Sequence, residues 1–156
     1  MDPQHLHLFL NHVPVFGGIG ALLFLAWGLV RRNTALTSAA MLALVAVALI
    51  AIPVFLTGGA AEDRVAQQPG ASMQVAARHQ QAAVAAMVGM TAAGAIALTG
   101  LLAWWRTRRY PMYPAMAALL VGIAAAVLLV RAASLGGQVR QSELRAAQAA
   151  VSAQLK

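Results

Sequence analysis

The chain has 156 residues, of which 61% are hydrophobic and 10% charged, with a formal net charge of +7 and a mean hydropathy of +0.73. Soluble domains carry about 25% charged residues, so a water-soluble fold is excluded: it would lack the polar surface to cover itself. The basic excess follows the positive-inside pattern of membrane proteins and does not indicate nucleic acid. The absence of Cys excludes disulfides, thiolate metal sites, covalent c-type haem and Cys-ligated clusters.

The first apolar run covers roughly Leu6 to Val30. Asp2 suits an N-cap and Pro3 a first helical residue, so this helix is expected to begin at Pro3. The same start, with no basic n-region and a long apolar run, does not read as a cleavable signal. Arg31 and Arg32 close the run. The second run extends from about Ala35 to Leu56, with a kink expected at Pro53 and a stop at Thr57-Gly58-Gly59. A loop is expected next, carrying Glu62, Asp63, Arg64 and a Pro69-Gly70 turn. Ser72 is placed to cap the third helix, whose apolar part runs from Ala82 to Trp105 and ends at Arg106, Arg108 and Arg109. Trp104 and Trp105 sit where an interfacial anchor belongs. The fourth run starts near Pro114 and stays apolar to Val130, with Arg131 at its far end and a break or bend expected at Gly136-Gly137. Beyond it, Leu144, Ala147, Val151 and Leu155 recur at helical spacing.

These runs predict an all-α fold, a bundle of four transmembrane helices running up-down-up-down, with helices one and three extended on the outer side. The spans are about 4–31, 35–57, 74–107 and 113–133 within a membrane domain over 1–135, and 136–156 forms an amphipathic tail. The lipid bilayer is thus the first partner. The two loops with Arg31 and Arg32, and with Arg106, Arg108 and Arg109, hold no acid and are expected to be cytoplasmic. In a bacterial inner membrane both termini, all four acids and all four histidines then lie outside.

Polar residues of the outer half gather in two stretches, Gln4 to Pro14 and Thr57 to Gln81. Counting at 1.5 Å per residue, His12 lies roughly 28 Å above Arg31 and His5 roughly 39 Å, while His79 lies roughly 40 Å above Arg106. A kink expected at Pro14 shifts these levels by several ångströms. His5 and His12 share a helix face, with His7 nearly opposite, and His79, Ala83, Met90 and Gly94 form a stripe with Met87 beside it. A pocket of His5, His12, His79 and Met87 is therefore reasonable, closed by Glu62 or Asp63.

Three readings compete. Two neutral imidazoles from different helices can ligate the iron of haem b inside a bundle, with Arg131 or Arg78 pairing the propionates. His5, His7, His12 and His79 with Glu62 or Asp63 also offer nitrogen and oxygen ligands for a transition metal ion, and Met87 and Met90 suit cuprous copper. In the third reading no cofactor binds: the histidines are interfacial, and Asn11 and His12 bond to the Thr57-Gly58-Gly59 backbone. The favoured reading is haem or metal binding in a redox or respiratory context. His12 and His79 are the chosen ligands, His5 the substitute, Glu62 a proton acceptor and Asn11 its orienter. The alternative is a cofactor-free accessory subunit of a larger membrane complex, or a homo-oligomer, supported by small size and Ala/Gly faces. Mid-membrane charges of a transporter are absent, and no arrangement of catalytic groups suggests an enzyme.

Leu10-Asn11-His12-Val13-Pro14-Val15-Phe16-Gly17 resembles the opening of a family of small, uncharacterised bacterial four-helix integral membrane proteins. Ile52-Pro53-Val54-Phe55-Leu56-Thr57-Gly58, then Ala61-Glu62, then His79-Gln80-Gln81-Ala82-Ala83 continue that pattern over about the first two thirds of the chain. The resemblance implies that Asn11, His12, Glu62 and His79 are its functional signature. Where the family often has an acid after the second histidine this chain has Gln80, and where it often has Gly-Glu this chain has Gly58-Gly59. Both departures remove oxygen ligands.

Overall fold

A computed structural model describes residues 12–66 and 73–154, with side chains described over 12–56, 73–138 and 151–152. All the described elements are helical. A π-helical turn, Val13–Gly17, leads into α1, Gly18–Val30; α2 is Thr34–Ala66, α3 Met73–Thr107 and α4 Met112–Gln154. Each sequential pair packs together and α1 closes the ring against α4, which makes an antiparallel four-helix bundle. Four segments are long and apolar enough to cross a membrane: Val13–Val30, Thr34–Leu56, Met73–Thr107 and Met112–Gln138. Leu23, Phe24, Leu49, Leu120 and Val127 are exposed, a belt that water would not tolerate and that hydrocarbon accepts.

The π-turn falls at Pro14, where a kink is expected. Proline has no N–H to donate and its ring crowds the carbonyl one turn back, and an i→i+5 widening accommodates it. The Gly18 N–H then bonds to the Pro14 and Val15 carbonyls and regular helix resumes. The expected start at Pro3 and the Ser72 cap lie outside the described residues.

Two expected helix breaks do not occur. Thr57-Gly58-Gly59 and the whole stretch to Ala66, with Glu62, Asp63 and Arg64, belong to α2 and not to a loop. Likewise α4 runs through Gly136-Gly137 to Gln154, so the tail is a continuation of the fourth span. Glycine ends a helix only when the backbone turns left-handed; inside one it costs about 1 kcal/mol, which neighbouring turns carry. The Pro69-Gly70 turn lies outside the described residues.

The core is made of small residues. Toward the loop end of the bundle, Ala21, Leu22, Leu25, Ala40, Met41, Leu44, Ala97, Ala115 and Ala118 form one buried cluster drawn from all four helices. A second cluster joins Val47, Ala48, Ala51, Met90 and Ala125. A Cβ on Gly94 would lie 2.5 Å from the Ala48 Cβ, so α2 and α3 approach closely because this position has no side chain.

Both described loops lie at one end. The α1–α2 link ends with the Arg32 N–H on the Leu29 carbonyl at 3.1 Å and the Asn33 N–H on the Gly28 carbonyl at 3.0 Å, a Schellman closure. The Asn33 side chain then accepts the Leu36 N–H at 3.0 Å and caps α2. After α3, the Arg108 N–H bonds to the Trp104 carbonyl at 2.8 Å. Arg32 and Arg108 take left-handed φ values of 47° and 57°. Arg31 lies 5.5 Å from the Trp27 ring centroid and Arg108 5.9 Å from that of Trp104. The two hairpins thus end alike, each with tryptophan and arginine one turn apart.

Candidate functional site

The α3 helix carries His79 at the end of the bundle opposite these loops. Its Nδ1 lies 2.9 Å from the Ala132 carbonyl of α4. A carbonyl oxygen only accepts, so Nδ1 carries a proton and donates it to this bond. The Ala132 oxygen has two lone pairs and serves both this bond and the helix. The ring reaches α4 because position 136 is glycine: a Cβ there would be 3.2 Å from His79 Cε1.

His79 borders a cavity of about 70 Å³, lined also by Pro14, Phe55, Ala83, Met87, Met90 and Leu129 among others. Of the expected stripe on helix three, His79, Ala83 and Met90, with Met87 beside them, line this space, whereas Gly94 packs against Ala48. Met90 is fully buried, and the Thr91 hydroxyl points at the Met87 sulfur 4.0 Å away. With one imidazole nitrogen bonded to a backbone carbonyl, the ring has the kind of partner that orients ligating histidines elsewhere. The cavity has room for an ion with one or two waters and is several-fold below the roughly 300–1,000 Å³ of pockets that enclose cofactors.

His12 does not line this cavity. It is exposed and its ring is stacked on Phe16, with centroids 6.1 Å apart and planes 7° apart. Arg78 and Arg131 are also exposed. His5, His7 and Asn11 lie outside the described residues. Glu62 and Asp63 belong to the last turns of α2, and their side chains lie outside the described set. Among the described residues no group of three or more His, Asp or Glu side chains is placed to hold a metal.

The Ala132 carbonyl, Phe55 and Leu129 are parts of the site that the residue pattern does not announce. Gly136 was the available signal, a glycine level with His79 on the facing helix. A second polar group at the loop end was equally hidden. The Tyr110 hydroxyl donates to the Gly28 carbonyl at 3.2 Å and accepts from the Thr37 hydroxyl at 3.1 Å. Beside it, the buried Ser38 hydroxyl has no partner among the described residues.

Searches find no matching family model, no matching curated protein and no matching solved structure.

Proposed function

We propose that this four-span membrane protein binds a metal centre, either a transition metal ion or the iron of haem b, through Nε2 of His79, in a redox or respiratory setting. The observation that carries the reading is the 2.9 Å contact from His79 Nδ1 to the Ala132 carbonyl. It holds the ring on α4 through Nδ1, the kind of outer-shell contact to a carbonyl that orients metal-ligating histidines. Met87 adds a soft, polarisable neighbour suited to cuprous copper. The cavity of about 70 Å³ could take an ion and is too small to enclose a haem. A second histidine would come from the first helix: His5, or His12, which lies outside the cavity and could serve only a group held at its mouth. Glu62 and Asn11 act as proton acceptor and orienter, and Arg131 or Arg78 pairs a propionate.

The orientation that goes with this reading puts the arginine-rich loops on the cytoplasmic side of a bacterial inner membrane and the His79 end outside.

The test is an absorption spectrum of the detergent-purified protein, as isolated and after dithionite, with metal analysis of the same sample. A Soret band with sharp reduced α and β bands, or a stoichiometric metal, is expected from the wild type and lost in His79→Ala. A His79→Ala variant that keeps its chromophore or metal would sink the proposal.

One observation favours an accessory role beside or instead of this. The 43 residues of α4 span roughly 64 Å, about twice the hydrocarbon thickness, so its last turns project to meet another subunit. Co-purification of a partner lost on removing residues 139–156 would support it.

A further inference from the structure

Helices α1 and α4 touch closely at one level, where a Cβ on Gly122 would lie 2.5 Å from Leu22 Cδ2. Beside that contact an open groove of about 370 Å³ runs between them, lined by Ile19, Leu22 and Leu23 of α1 and Ile123, Ala126, Val127 and Val130 of α4. Counted along the helices, Leu23 stands roughly 12 Å above Arg31 and Val130 roughly 27 Å above Met112. The groove therefore occupies the half of the bilayer away from the loops and ends near the edge of roughly 30 Å of hydrocarbon. At that edge Arg131 follows Val130, exposed, one turn above Val127. On the α1 side Phe16 precedes Ile19 by one turn, and the His12 ring stacks on it.

We propose that this groove holds an acyl chain of an anionic phospholipid whose phosphate is bound by Arg131. The depth matches one leaflet. The lining is wholly apolar, and Ala126 is its smallest side chain. A guanidinium at the mouth meets a phosphate with paired hydrogen bonds, and it does so at headgroup level. A helix of a second copy would fill the slot without supplying an anion, because all four acids (Asp2, Glu62, Asp63 and Glu143) lie outside the apolar spans. The groove and the His79 cavity share no lining residue, and with Arg131 on the lipid phosphate it is Arg78 that remains for a propionate.

The full chain is placed in nanodiscs of equal phosphatidylglycerol and phosphatidylcholine, released gently and weighed by native mass spectrometry. Wild type is expected to retain one phosphatidylglycerol in preference to phosphatidylcholine. Arg131→Gln should lower that retention about fivefold, the worth of roughly one basic side chain at an anionic lipid surface, and Arg131→Lys should keep most of it. Ala126→Phe should expel the chain with the charge still in place, with far-ultraviolet circular dichroism confirming that both variants keep their helices. Equal retention of the two lipids, or undiminished retention in either Arg131→Gln or Ala126→Phe, overturns the site. A lipid-free dimer overturns it in favour of a second copy.

Discussion

Arg32 and Arg108 occupy left-handed backbone positions that glycine usually fills at helix ends. An L-residue with a Cβ pays roughly 1 kcal/mol there. Arg32→Gly should therefore raise the stability of the purified protein by about 0.5–1 kcal/mol, read as a higher midpoint of thermal unfolding by tryptophan fluorescence; a fall would show that the side chain contributes more than its strain costs. At the other end, Gly136→Val should push the His79 ring off the Ala132 carbonyl. The expected outcome is at least a tenfold weaker hold on the proposed metal centre, within the roughly 10–100-fold typical of losing an outer-shell partner, measured by metal titration. Unchanged affinity would mean that the carbonyl does not orient the ligand. The histidines were legible as residues, and the α3 stripe placed His79 beside Met87 and Met90. That Nδ1 carries a proton was not legible, because that depends on a carbonyl 53 residues away in sequence. His12 was misplaced as a cavity ligand because the face count assumed a regular helix, and the π-turn at Val13–Gly17 changes the phase.

Helix contacts here depend on the absence of side chains. Gly94 stands against Ala48, whereas Gly20 has nothing within 4 Å of its would-be Cβ. Gly94→Val should destabilise the bundle by about 1–3 kcal/mol through overpacking. Gly20→Ala should be neutral or stabilising by up to about 1 kcal/mol through helix propensity. Equal effects of the two, in thermal unfolding in one detergent, would remove close packing as the reason. Spans were legible because about twenty apolar residues bounded by arginines have no other stable setting. Helix ends at the opposite side were not. Gly58-Gly59 and Gly136-Gly137 look like stops in isolation, but glycine gives permission to turn, and packing partners decide whether it is used. At Gly136 the missing side chain makes room for a ring and not for a turn.

At the scale of the whole molecule the bundle is polarised, with five arginines, Arg31, Arg32, Arg106, Arg108 and Arg109, around its two described loops. In the proposed orientation a C-terminal alkaline phosphatase fusion is active and a fluorescent-protein fusion dark; the reverse pattern would invert the topology. The clustering of these charges at one end was legible in the sequence, but the bond that fastens the hairpins together there was not. Tyr110 reaches both Gly28 and Thr37 across the loop end. Since Tyr110 follows Thr37 by 73 residues, it leaves the ribosome on the order of 4–15 s later at ordinary synthesis rates. The Gly28 carbonyl has its Asn33 N–H within the first hairpin, but the Thr37–Tyr110 bond cannot form before that time. In the folded bundle Thr37 meets Tyr110, and the neighbouring Ser38 hydroxyl is buried. The basic end of the bundle is thus fastened only after both of its loops have been made.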